Sequence, residues 1–277
     1  MTGGIVRKLH FYKMSGSGND FVIVDNFDDK HDFDFFKGIT QKVCGRNNGV
    51  GADGLIALNR EHGMDFRWDF FNADGSIAEM CGNGARCAAR LFSKLHGKKE
   101  ITFMTLAGII DAEVRNDIVK VRLSKPSSFV PGIEIYVDGE VIKGSFINTG
   151  VPHFVMIPDD IDEVSVRELG RKIRFHERFS PAGTNVNFVK HLGGSSIKVR
   201  TYERGVEDET LACGTGACAS ALVCGRSELV KSPVTVVTSG GENLFVHYED
   251  AGDDFENVYL EGRVRLICEG EIFLNEL

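Results

Sequence analysis

The 277 residues offer little that would commit the chain to a membrane, a nucleic acid or a disulfide framework. No apolar run reaches the length of about 18 residues that a spanning helix needs, so no membrane partner is expected. Met1 to Lys13 carries charges at Arg7, Lys8 and Lys13 and lacks the apolar stretch of a signal peptide, which sets the expected location as cytoplasmic. Basic residues are outnumbered, with 32 Lys and Arg against 40 Asp and Glu and a net charge of −8. Affinity for phosphate backbones rests on clustered cations, and the one short cluster, Lys94 to Lys99, reads as a solvated helix end, so no nucleic acid is expected. Seven cysteines is an odd number, in a chain too long for a disulfide scaffold. The pairs 81/87 and 213/218 lack both the short spacing of a zinc site and nearby histidines, so no metal is expected. No P-loop occurs. Gly49-Val50-Gly51-Ala52-Asp53-Gly54 fits a dinucleotide fingerprint, but Gln41 to Asn48 is too polar for the buried strand that must precede it, and Leu55 to Leu58 reads as strand.

What is present is a repeat. Cys81-Gly82-Asn83-Gly84-Ala85 returns as Cys213-Gly214-Thr215-Gly216-Ala217, 213 − 81 = 132 positions later. Gly51-Ala52-Asp53 and Gly183-Thr184-Asn185 keep that offset (183 − 51 = 132), and Asp20-Phe21-Val22 and His153-Phe154-Val155 nearly keep it (153 − 20 = 133). Three ordered anchors at one long period predict two similar domains. The Ser- and Pro-bearing stretch Ser124 to Ser128 is the expected boundary, dividing the chain into 1–125, with 267–277 returning to it, and 126–266.

Most of the chain reads as short strands. Phe66, Trp68 and Phe70 alternate with Asp65, Arg67 and Asp69, the period of a half-buried strand. Asn116-Asp117 and Asp138-Gly139 are expected hairpin turns, the latter of type I′. Residues 84–95 predict a helix from Ala85, Ala88, Ala89, Phe92 and Leu95, and the almost wholly apolar stretch Ala217 to Cys224 predicts a helix buried on every face. Val166 to Phe175 and Phe35 to Val43 are expected surface helices, and Leu266 to Leu274 a last strand able to pair with either half.

A Cys-Gly-X-Gly turn leading into such a helix sets the sulfur at a helix N-terminus, where unpaired N–H groups and the macrodipole favour an anion. The glycines let consecutive N–H groups converge on a carboxylate. One device then both activates the thiol and holds an anionic substrate. Duplicated halves facing each other would bring the two thiols to opposite sides of one small molecule. A thiolate takes the α-proton while the opposed thiol delivers another, and configuration inverts. The remaining cysteines, Cys44, Cys87, Cys218, Cys224 and Cys268, read as core residues.

The chain resembles the diaminopimelate epimerases over nearly its whole length. The resemblance is carried by Gly18-Asn19-Asp20-Phe21, Phe71-Asn72-Ala73-Asp74-Gly75-Ser76, Cys81 to Cys87, Pro152-His153, Thr184-Asn185-Val186-Asn187-Phe188, Glu203-Arg204-Gly205 and Cys213 to Gly216. It implies an α+β fold of two pseudo-symmetric domains, each a mixed β-barrel around a central helix. It also implies a cofactor-independent epimerase of lysine and peptidoglycan precursor synthesis that interconverts LL- and meso-2,6-diaminopimelate. The implied proton donor is Cys81 and the implied acceptor Cys213. Asn19, Asn72, Gly82, Asn83, Asn185, Glu203, Arg204, Gly214 and Thr215 match substrate-binding positions, and His153 and Glu203 match residues that adjust thiol acidity and orient the substrate ammonium. A homodimer is expected by the same resemblance. The chain departs from the family pattern in three places: Val151 stands where many members carry Asn, Gly54 where some carry Gln, and Cys268 near a tyrosine that aids dimerisation in some relatives.

Overall fold

A strand buried along its whole length organises the N-terminal half of the computed structural model, which describes residues 8–252 and 254–277. The chain divides into two compact units, Met1–Val121 with Arg263–Leu277, and Arg122–Gly262. In the first, β1 (Lys8–Gly16), β2 (Asn19–Asp25), α1 (Phe33–Cys44), β3 (Gly54–Asn59) and β4 (Phe66–Asn72) precede the helix α2 (Gly82–His96). The strands β5 (Glu100–Thr105), β6 (Gly108–Arg115) and β7 (Ile118–Arg122) follow it. β3 is the buried strand. Side chains on a strand alternate between faces, so Leu55 and Ala57 join Phe36, Val43 and Cys44 of α1 in one apolar cluster. Ile56 turns the other way, and its Cδ1 lies 3.3 Å from where a Cβ on Gly84 of α2 would stand. The glycine lets helix and strand meet closely.

The eight strands of this unit close into a mixed barrel. Neighbours run from β1 through β7 to the C-terminal strand, and that strand returns to β1 with Val264 opposite Gly16 and Phe273 opposite Lys8. β2–β3 and β4–β5 are parallel, and β1–β2, β3–β4 and β5–β6 antiparallel. Gly82 to Ala89, Leu91 and Phe92 of α2 are buried, and the helix ends at Gly97 in the left-handed conformation, φ 73°, with its N–H on the Ser93 carbonyl.

The second unit repeats this order. β8 (Ser127–Val137), β9 (Glu140–Asn148) and β10 (Pro152–Met156) lead to α3 (Val166–Arg174), then β11 (Asn185–Gly193), β12 (Ser196–Glu203), β13 (Asp208–Thr210) and α4 (Gly214–Arg226). β14 (Val234–Val237), β15 (Asn243–Asp250) and β16 (Phe255–Phe273) complete it. β10–β11 and β12–β14 are parallel, and β9–β10, β11–β12 and β14–β15 antiparallel, the same alternation as in the first unit. Phe154, Val186, Phe188 and Tyr202 pack on Val166 and Ile173 of α3, while Gly216 to Cys224 of α4 are buried. The fold is therefore the α+β, pseudo-symmetric arrangement expected.

The last strand differs from expectation in length. It runs 19 residues, Phe255–Phe273, and not from Leu266. It pairs in both units, with β15 through Phe255–Gly262 and with β1 through Val264–Phe273. Among the described residues no helix is long and apolar enough to cross a membrane.

Candidate active site

Two of the seven cysteines cap helices. Cys81 holds extended backbone, φ −149° and ψ 118°, just before α2, and its Sγ accepts the Gly84 N–H at 3.4 Å. Cys213 holds φ −121° and ψ 113° before α4, with its Sγ 3.5 Å from the Thr215 hydroxyl. Each carbonyl takes the first helical hydrogen bond, from Ala85 and Ala217 respectively. Both sulfurs are half-buried, at helix ends where free N–H groups and the macrodipole favour negative charge. Cys44, Cys87 and Cys224 are buried, and burial pushes their thiols up to about 12.

Around Cys81 the polar side chains form a directed chain. The fully buried Arg86 guanidinium donates to Ser17 Oγ and to Asn83 Oδ1, both at 2.8 Å. Asn83 Nδ2 donates to Asn19 Oδ1 at 2.6 Å, and Asn19 Nδ2 to the Asp53 carboxylate at 3.1 Å. Asp53 takes Arg46 at 2.8 Å, and Arg46 also grips Asp20 at 3.0 Å. Burial raises the Asp20 carboxyl, but hydrogen bonds from Arg46 and Lys13 outweigh it and leave the group below its usual range. Every amide in this chain has its orientation set by the cation at one end and the carboxylate at the other. Asn72, last in β4, is exposed and donates to Ser76 Oγ at 2.9 Å.

In the second unit His153 is fully buried in β10, in register with Asn185 of the parallel β11. Asn185 donates to the Pro152 carbonyl at 2.9 Å and accepts the Arg204 N–H at 2.8 Å, and the Arg204 guanidinium donates to the Ala182 carbonyl at 3.2 Å. Glu203 ends β12, half-buried and opposite Asp208 of β13. Gly214 and Thr215 form the first turn of α4, and Thr149 donates to the Thr215 carbonyl at 3.0 Å. The His153 pKa falls to about 3, chiefly by burial and further by the Arg204 charge, against a small upward pull from Asn187. Val151 offers its carbonyl to the Thr149 N–H at 3.1 Å.

The first unit thus joins Asn19 and Asn83 directly, and the second joins Asn185 and Arg204. Arg86, Ser17 and Asp53 belong to the first network, and in the second unit Asn187 bonds His153 Nδ1 while the Thr201 hydroxyl donates to Asn187; none of these five is among the expected site residues. The available signal was periodicity: Asn185 and Asn187 alternate with the apolar Val186 and Phe188, which puts two amides on one face of a buried strand.

The family model described as diaminopimelate epimerase matches residues 11–128 and 145–267. The chain belongs to the diaminopimelate epimerase family. A diaminopimelate epimerase of Aquifex aeolicus (strain VF5) is 50% identical over 277 residues, covering 95% of this chain and 98% of the relative. One from Archaeoglobus fulgidus is 41% identical over 290 residues, covering 98% of each. Among solved structures, a hydroxyproline epimerase from Agrobacterium vitis superposes with TM-score 0.67 at 13% identity, covering 97% of this chain and 93% of that one. A probable proline racemase from Agrobacterium radiobacter reaches 0.69 at 12% identity, covering 96% and 93%. At such identities the likeness shows the fold alone. The same architecture is thus found in proteins named for proline and hydroxyproline.

Proposed function

We propose that the chain epimerises LL- and meso-2,6-diaminopimelate by passing protons between Cys81 and Cys213, in lysine and peptidoglycan precursor synthesis. It is an isomerase, as family membership and the full-length relatives support. The observation that carries the mechanism is that both recurring cysteines cap a core helix of their own unit. Inversion needs one sulfur as thiolate to remove the α-proton and the other as thiol to return one to the opposite face. In the LL-to-meso direction Cys81 donates and Cys213 accepts, and the roles exchange on reversal. The thiols titrate as a pair, because only one may be ionised at a time.

Carbanion character at the α-carbon is spread into its carboxylate, where the N–H groups of Gly82, Asn83, Gly214 and Thr215 lower its energy. Arg204 is assigned to the distal carboxylate as a bidentate donor. Asn19, Asn72 and Asn185 are assigned to the zwitterion, whose ammonium and carboxylate both suit an uncharged amide. Glu203 and His153 are assigned to orientation and thiol tuning. The duplicated halves, 1–125 with 267–277 and 126–266, each supply one cysteine, and no cofactor or metal takes part. A homodimer in the cytoplasm, without membrane partners, completes the reading, and the acidic charge balance argues against nucleic acid.

Incubation of purified protein with LL-diaminopimelate in D2O tests reaction and substrate together. The expected result is deuterium at one α-carbon and growth of the meso isomer. Racemisation of proline with no label entering diaminopimelate would overturn the substrate assignment.

A further inference from the structure

The hydrogen bonds around His153 determine which of its nitrogens carries the proton. Asn187 Nδ2 lies 3.2 Å from the Phe154 carbonyl, an atom that can only accept. The amide nitrogen must therefore point there, and the Thr201 hydroxyl, 3.0 Å from Asn187 Oδ1, donates to the other end. Turning the amide over would set two oxygens against each other at the Phe154 carbonyl. With that orientation fixed, Nδ2 also donates to His153 Nδ1 at 3.0 Å. Nδ1 accepts, and the proton belongs on Nε2. Nε2 is buried and has no hydrogen-bond partner among the described residues. A donor so placed is costly unless something accepts from it.

We infer that Asn187 is a positioning residue that holds His153 in the Nε2–H tautomer, so that His153 acts as a hydrogen-bond donor to a carboxylate of the bound substrate. In this form His153 cannot receive a hydrogen bond from an ammonium through Nε2, which leaves the substrate ammonium to other groups. The amide is itself locked against the catalytic helix: a Cβ on Gly216 would stand 2.4 Å from Asn187 Oδ1 and 3.3 Å from Cys213 Cβ. The depressed basicity of the buried ring keeps it from becoming a doubly protonated cation near neutral pH. The catalytic part of this inference rests on the epimerase reading, whereas the tautomer does not.

Protein carrying ¹⁵N-labelled histidine, with His153 assigned by the His153→Gln spectrum, reports both ring nitrogens directly. The expected wild-type spectrum has a pyridine-type Nδ1 and a protonated Nε2, unchanged between about pH 5 and 8. Asn187→Asp replaces the amide donor by an acceptor and moves the proton to Nδ1, with kcat lowered about 10²- to 10³-fold and KM little changed. A wild-type ring protonated on Nδ1, or on both nitrogens, overturns the inference, even if Asn187→Asp fails to fold. So does a folded Asn187→Asp protein whose tautomer is unchanged. Diaminopimelate added to the Cys81→Ala, Cys213→Ala double variant should shift the Nε2–H resonance, and saturation without a shift overturns the donor role. A wild-type protein with the stated tautomer but no turnover of diaminopimelate would instead defeat the functional reading.

Discussion

Cys81 and Cys213 have the same local setting, extended backbone that turns into a helix, with the Gly84 N–H on one sulfur and the Thr215 hydroxyl beside the other. Cys81→Ala and Cys213→Ala should each lower epimerisation by at least about 10³-fold, measured by isomer ratio, with circular dichroism unchanged. Retained turnover in either single variant would point to another base. His153 makes a separate, thermodynamic prediction. Its folded pKa of about 3 lies below the ordinary 6.5, so the unfolded chain binds a proton across that interval and the folded chain does not. The stabilisation is complete above about pH 6.5 and is lost progressively as pH falls from there through about 3. Denaturant midpoints followed over pH should decline below 6.5 in the wild type and much less in His153→Gln. Asp20, lowered, and Asp69, raised mainly by burial, titrate in both proteins and cancel in the comparison.

At the scale of elements, the two core helices depend on glycine for their approach to the strands. Gly216→Ala forces a methyl into the Asn187 amide and should cost about 1–3 kcal/mol in a denaturant titration, together with a fall in kcat. The same helices protect their interior thiols. An alkylating reagent should modify Cys81, Cys213 and the exposed Cys268 in native protein, and the buried Cys44, Cys87, Cys218 and Cys224 only after unfolding. Peptide mass spectrometry reads the order. These elements were also the most legible ones. The Asp138-Gly139 turn follows from chemistry that tolerates positive φ at both positions, and the observed values are 55° and 86°. Helix α1 begins two residues earlier than its apolar pattern suggests, because Asp32 caps it through the Phe35 N–H. The recurring cysteine turns were visible because a glycine-rich turn is a local signal. Asn187 was not singled out, since its significance lies in Thr201, Phe154 and His153, none of them near in sequence. Arg86 was hidden likewise: a charged residue in a helix reads as solvated, whereas here Ser17 and Asn83 allow it to be buried completely.

For the molecule as a whole, the feature least visible in sequence was the length of β16. The strand runs through Gly262, opposite Leu244, and pairing with β15, β7 and β1 at distant positions sustains it. One continuous strand consequently carries pairings of both units. The partners Gly16 and Val264 are 264 − 16 = 248 positions apart, so the first unit contains one very long-range ladder. During synthesis, its early strands must wait with an open edge until residues 264–273 emerge, while the second unit already has most of its own pairings. Nascent chains stopped at residue 262 should therefore resist proteolysis within residues 122–262 and remain susceptible within 8–121. The part made first is the part finished last, which makes the unclosed N-terminal strands the natural clients of chaperones while the chain is still being built.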